Sequence, residues 1–269
     1  MGLLLGLLAG AHASSWGMYK DAPHEGFTFP KYFRSVVVAM AIAVALQLLT
    51  GLDLRSWGDA AVFFGMVYAL ERLGHELWKG YIREEDQSKY FIPMQFGVLG
   101  KPVQSRPVRW ALLAAILAIL ALLVQVGYSL QGRFPDAPAW LVLVTIGSLG
   151  GWLTAFGGAW KDAPVEGFET LKFFRSPLVS LFWATVMAFF TRDWVFLSIA
   201  GAGYSVATIE TYKTFFFPSV PRGKFSGKPV LYPEMLERRR PVVFVYAAIW
   251  AVMIAMLVLA FLGSRDGLL

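Results

Sequence analysis

The 269-residue chain contains no cysteine, only three histidines, and an unusually small share of charged residues, 16%. The lack of cysteine excludes disulfides, thiolate metal sites and a sulfur nucleophile. His12, His24 and His75 are too few and too scattered to build a histidine metal centre. A phosphate-binding G-x-x-x-x-G-K-[ST] loop is missing, and so is the G-x-S-x-G setting of a serine hydrolase. No catalytic residue and no cofactor is implied. Soluble domains carry about a quarter of their residues as charges and under half as apolar ones. Here 57% are hydrophobic and the mean hydropathy is +0.56, which moves the chain into the membrane class. The 22 Phe and 10 Trp add aromatic weight of the kind that gathers at membrane interfaces.

Long apolar runs are what the chain has instead. Runs of the length that crosses a bilayer cover residues 3–19, 36–52, 60–79 and 110–130, then 140–160, 177–191, 194–217 and 242–262. They are continuously apolar rather than alternating, so helices are the expected spanning structure. The first run lies where a cleaved leader would, but it lacks a basic start and its end matches the internal fifth run, so a span is expected. With eight spans placed, one face holds only Arg55, Arg133, Arg192 and Arg265 of the 24 Lys and Arg residues. The positive-inside rule makes the other, basic face cytoplasmic, with both termini outside an inner, cytoplasmic membrane. The net charge of +6 follows from that topology rather than from nucleic-acid binding.

The chain also repeats itself. Residues 16–35 contain K-D-A-P-H-E-G-F and residues 157–176 contain K-D-A-P-V-E-G-F, each followed by a further Lys and by Phe-Arg-Ser. Glu76-Leu77-Trp78-Lys79 then matches Glu210-Thr211-Tyr212-Lys213, and Gly100-Lys101-Pro102-Val103 matches Gly227-Lys228-Pro229-Val230. The expected fold is therefore an all-α polytopic membrane protein with two tandem four-span repeats, residues 1–135 and 136–269. An even number of spans per unit inserts both copies in the same direction, related by a pseudo-two-fold along the membrane normal.

The repeated polar residues are the candidate ligand-binding set. Pro23 and Pro164 predict that the helix ends near Asp-Ala, and Gly26 and Gly167 permit the turn that follows. Within this short loop Lys20, Asp21, Glu25 and Arg34, with Lys161, Asp162, Glu166 and Arg175, either pair among themselves or bind phosphate or carboxylate. In the third and seventh spans, Glu76 with Lys79 and Glu210 with Lys213 are i, i+3 neighbours. Ionisable residues inside a bilayer are costly and normally face a bundle interior, which singles out Glu76 and Glu210. Glu71 with His75, and Arg72 with Glu76, share helix faces at i, i+4. The loops bearing Arg106, Arg109, Arg238, Arg239 and Arg240 either set topology or hold lipid headgroups. Oxygen ligands for Mg²⁺ could come from Asp21, Glu25, Asp162 and Glu166, but the adjacent lysines argue against a cation cage. Glycines such as Gly147, Gly150, Gly151, Gly201 and Gly203 predict close helix packing.

Three functions fit these features. The first is a transporter or flippase for an anionic solute or lipid, with its site between the repeats near the cytoplasmic face. The others are an accessory or scaffold subunit of a larger membrane complex, and a membrane-embedded enzyme acting on a phospholipid or isoprenoid phosphate. The expected partners are membrane lipids with anionic headgroups, and a membrane-protein partner or a second copy of the chain.

Overall fold

A computed structural model describes residues 1–218 and 223–269. Among them, eight long helices form: α1 (Gly2–Glu25), α2 (Phe29–Thr50), α3 (Trp57–Leu77), α4 (Arg106–Arg133), α5 (Ala139–Glu166), α6 (Thr170–Met187), α7 (Trp194–Phe215) and α8 (Val242–Leu262). The end of α3 widens into a π-helical turn at Trp78–Ile82, and α5 contains another at Leu143–Gly147. A two-stranded hairpin pairs Gly97–Val98 with Lys101–Pro102 between α3 and α4. A one-turn helix, Met235–Arg238, precedes α8.

Local signals fix several helix starts. The Ser56 hydroxyl accepts from the Asp59 N–H at the head of α3, and the Asp193 carboxylate accepts from Val195 and Phe196 at the head of α7. Pro30 and Pro107 stand in the first turns of α2 and α4, where a missing N–H costs nothing.

Four helical stretches are long and apolar enough to cross a membrane: Phe29–Thr50, Arg106–Arg133, Ala139–Glu166 and Met235–Leu262. Of these, α4 is almost wholly uncovered, with 6% of its most apolar window buried. Large side chains along it, among them Leu117, Ile119 and Leu122, face outward. So much exposed apolar surface would aggregate in water, and it marks a membrane-embedded protein.

The centre of the bundle is α3 packed on α7. Residues 60–68 of α3 are all buried, and the Tyr204 hydroxyl of α7 donates to the Ala61 carbonyl at 3.0 Å. Between lipid-bathed helices the hydrophobic drive is weak, so close packing of small residues holds the seams. A Cβ on Gly203 would lie 1.9 Å from the Gly65 carbonyl oxygen, so these two backbones touch. The α1–α2 seam closes where Gly10 meets Val36, and the α5–α6 seam closes where Gly151 meets Pro177.

Both proline expectations fail in the same way. α1 runs through Pro23 to Glu25 and α5 runs through Pro164 to Glu166, each ending at a glycine of positive φ, Gly26 (71°) and Gly167 (87°). Proline in the last turn frees one carbonyl four residues back. For Pro23 that is the Tyr19 oxygen, and Arg239 donates to it at 2.7 Å. The helix at the expected sixth span, α6, likewise starts ahead of its apolar run, because Pro177 lies inside it rather than at its start.

Candidate functional site

The charged residues of both motifs gather at one end of the bundle, where α1, α3, α5 and α7 all terminate. Lys20 of the first motif leaves α1 and reaches Glu210 of α7 at 3.3 Å, across 190 residues of chain. Lys213 holds the other Glu210 oxygen at 2.9 Å. The second-motif lysine, Lys161, lies by the loop after α3, its ammonium 3.6 Å from the Met94 sulfur and in electrostatic reach of Glu76. Glu76 itself pairs with Lys79 at 2.7 Å.

The two glutamates are not equivalent in burial. The Glu210 side chain is 14% exposed and that of Glu76 is 55% exposed, so only Glu210 is enclosed. The more deeply buried acid of α3 is Glu71, five residues earlier. It accepts from the Arg72 Nη2 at 2.7 Å and meets the His75 ring nitrogen at 2.8 Å. Arg72 thus pairs with its sequence neighbour rather than with Glu76, because Glu71 is fully enclosed and needs the charge more.

Each motif is capped by a loop from the other half of the chain. Over the first, Leu231 and Tyr232 donate their N–H groups to the Pro23 carbonyl at 3.0 Å, and His24 meets the Pro229 carbonyl at 2.9 Å. The His24 ring also stacks on Phe225, 4.6 Å between centroids. Lys224 inserts its ammonium between Asp21 (3.0 Å) and Glu25 (2.8 Å). Over the second motif, the hairpin turn at Gly100 rests on Pro164 and Val165, and the Trp160 indole donates to the Gly97 carbonyl at 2.9 Å.

The Lys224 contacts set the titration of their partners. Burial alone would raise the Glu25 carboxyl, but the Lys224 charge and hydrogen bond, with Lys31 beyond, hold it below the usual carboxylate range. Burial opposes the Lys224 charge as well, yet Asp21 and Glu25 together raise its ammonium above the ordinary lysine value. In the second motif Lys172 plays the bridging part, bound to Asp162 at 2.9 Å and also to Glu166. Its first-half counterpart, Lys31, reaches only Glu25, at 3.7 Å and half-exposed.

The second motif, unlike the first, opens on a cavity. About 120 Å³ of space lies between α5, α6 and α7, lined by Asp162, Lys172, Arg175, Glu210 and Lys213 beside Phe168. Its α5 wall is made of small residues, Ala155, Gly158, Ala159 and Ala163. Arg175 has no acidic partner among the described residues; its guanidinium lies over the Tyr212 ring at 5.9 Å, and its buried Nε has no hydrogen-bond partner. Arg34, its counterpart, lies over Trp78 at 4.9 Å, with Arg83 on the same ring at 5.1 Å. A larger, open cleft of about 430 Å³ after α3 is lined by Glu84, Glu85 and Asp86, with Arg109 already bound to Glu84 at 3.0 Å.

Lys224 and Lys172 were not in the sequence-derived set, and Arg239 was named there only among the loop arginines. Lys172 had a signal, since Lys31 and Lys172 match in the repeat. Lys224 had none, because its aligned position in the first half is Gly97. Comparison with protein-family models, characterised proteins and solved structures finds no match to the chain.

Proposed function

We propose that the chain is a membrane carrier, a transporter or flippase, for an anionic solute or lipid bearing phosphate or carboxylate. The eight long helices cross the inner membrane with both termini outside, and the charged end of the bundle lies at its cytoplasmic face. Residues 1–135 and 136–269 are two copies of one unit around a pseudo-two-fold that passes between α3 and α7. The crossed contacts support this symmetry. Lys20 meets the glutamate of the other copy, and each motif is capped by the other copy's loop. The Gly10–Val36 and Gly151–Pro177 contacts are also equivalent positions under the repeat alignment.

The observation that carries the function is Arg175, a guanidinium without a carboxylate on the wall of a cavity. A cation left without its counterion in a low-dielectric site is costly, and an incoming phosphate or carboxylate removes that cost. Glu210 links the cavity to the rest of the molecule, because it also holds Lys20 of the other copy. An anion that draws Lys213 away from Glu210 alters the crossed pair, which is the coupling a carrier requires. Proteoliposomes containing acyl-labelled phosphatidic acid test this directly. Wild-type protein should carry label between leaflets, and Arg175→Ala should slow it toward the protein-free rate. Equal rates for wild type and protein-free vesicles would exclude lipid movement.

A second reading, an accessory subunit of a larger membrane complex, is favoured by the α3–α7 seam. The backbones touch at Gly65 and Gly203, which leaves no path along the axis there. It is also favoured by α4, whose uncovered face could meet a partner helix.

A further inference from the structure

One buried ionisable group, His12, lies away from the charged end of the bundle. It stands on α1 eight residues before Lys20, about 12 Å deeper along the helix, and is fully buried. Its Nδ1 is 2.9 Å from the Tyr68 hydroxyl of α3, and the Trp16 indole donates to that same oxygen at 2.9 Å. The other ring nitrogen, Nε2, is buried without a hydrogen-bond partner. The ring lies against Tyr68 (5.1 Å between centroids) and, from α8, against Tyr246 (4.6 Å) and Trp250 (5.5 Å). The charge that acts on it is Arg72 of α3, which Glu71 holds. Past Arg34, α2 carries no ionisable residue.

A line of contacts runs from this ring to the anion cavity. His12, Trp16 and Lys20 follow one another at four-residue spacing on one face of α1. Lys20 lies over the Trp16 ring at 5.0 Å, and Arg72 lies over it at 5.3 Å. Lys20 in turn reaches Glu210, in the cavity wall, at 3.3 Å. On the α8 side, the Tyr246 hydroxyl meets the Thr211 hydroxyl at 2.6 Å, and Thr211 adjoins Glu210 in α7. The matching positions in the second half of the sequence are Leu153 for His12, Gly157 for Trp16 and Ala202 for Tyr68. The line is thus present once, and packing of the repeated unit does not require it.

We infer that the carrier takes up a proton together with its anion, and that His12 is the group that holds the proton. The inference rests on the reading above, with α1 as a span and an anion on Arg175, and adds the coupling ion. Ionisable side chains at this depth in spanning helices are costly and mark ion and proton pathways. In the tautomer that donates Nδ1–H to the Tyr68 oxygen, the Nε2 lone pair is the free position. A proton from solvent adds there to give an imidazolium, and it leaves from the same nitrogen. That cation touches no carboxylate among the described residues, so it needs negative charge from elsewhere. An anion on Arg175, beside Glu210, supplies it at the near end of the line, and the attraction acts through a low-dielectric bundle. Linkage makes the effect mutual: the anion favours the proton, and the proton favours the anion by the same factor. A singly charged anion and a proton also cross the bilayer together without net charge, which removes the work against the membrane potential.

Titration calorimetry on the whole protein in detergent near neutral pH, repeated in buffers of different ionisation enthalpy, counts the protons taken up per ligand bound. The probe is dihexanoyl phosphatidylglycerol, a phosphodiester that does not itself titrate near neutrality. Wild-type protein should take up close to one proton per lipid. His12→Gln, which cannot hold a proton in this range, should bind the lipid more weakly and with no uptake. His12→Asn, whose amide nitrogen takes the place of Nδ1, should do the same. His24→Gln and His75→Gln, at the only other histidines, should keep the uptake. Wild-type protein labelled with 15N-histidine gives a measurement that needs no variant to fold: one of the three imidazoles should turn cationic when lipid is added, and no change in any of them would contradict the inference. If Arg175→Ala weakens binding but wild type takes up no proton, or His12→Gln still takes one up, the proton assignment fails and the anion site stands. If wild type does not bind the lipid, or Arg175→Ala binds it equally well, the anion site fails and the inference falls with it.

Discussion

Lys20 of α1 and Glu210 of α7 form an ion pair at 3.3 Å that ties the first motif to the second half of the chain. Both side chains are largely enclosed, at 16% and 14% exposure, so neither charge is well served by water alone. Lys20→Met should therefore destabilise the protein by about 1–3 kcal/mol, less than for a fully buried pair because Lys213 still serves Glu210. A double-mutant cycle with Glu210→Gln, read from thermal melting in detergent, should give a coupling of about 1 kcal/mol. Additive effects of the two substitutions would mean the pair carries no coupling.

The α3–α7 seam gives a sharper test of packing. Gly203→Ala places a methyl group against the Gly65 carbonyl and should cost about 2 kcal/mol or more, since two backbones would have to part. Gly74→Ala meets nothing within 4 Å, and in the same helix system it should be neutral or stabilising by up to about 1 kcal/mol. Melting temperatures of the two variants should move apart, with only Gly203→Ala falling well below wild type.

The loop cap over the first motif should be pH-dependent. Glu25 titrates below its ordinary value in the folded state, so its contribution is present above about pH 4.3, the unfolded value, and is lost as the pH falls through the depressed one. Lys224 titrates above its ordinary value, so its contribution is present below about pH 10.4 and is lost as the pH rises beyond that. Protease sensitivity of the loop bearing Lys224 should thus be lowest between these limits and rise at both extremes. Lys224→Met should flatten the profile.

Much of this end of the bundle was legible in the sequence where partners sit on one helix. Glu76 with Lys79, Glu210 with Lys213, and Glu71 with His75 follow from helical spacing, and all three are in contact. Arg72 went to Glu71 instead of Glu76 because burial, which spacing does not reveal, ranked the two acids. The helix ends were misjudged at Pro23 and Pro164; at Pro23 a rule for local chain geometry omits Arg239, a distant donor that compensates Tyr19. Lys224 has no equivalent in the matching segment of the first half of the sequence, so a search for repeated residues passes over it. It belongs to what differs between the two halves of the sequence; the second motif, though also covered by a loop, opens on a cavity.

Topology can be read with few changes, because the native chain has no cysteine to remove. Leu99, 81% exposed in the hairpin turn, and Phe134, 54% exposed after α4, lie at opposite ends of α4. Leu99→Cys should react with a membrane-impermeant maleimide only from the cytoplasmic side, and Phe134→Cys only from outside. Labelling of both from one side would overturn the spanning of α4.

The retention of a ligand by purified protein bears most directly on the role of Arg175. Native mass spectrometry of wild type should show one phosphate-bearing ligand per chain, and Arg175→Ala should lose it while keeping a wild-type melting temperature. Lys20→Met, outside the cavity wall, should retain it. An identical ligand profile in wild type and Arg175→Ala would contradict an anion site at the second motif.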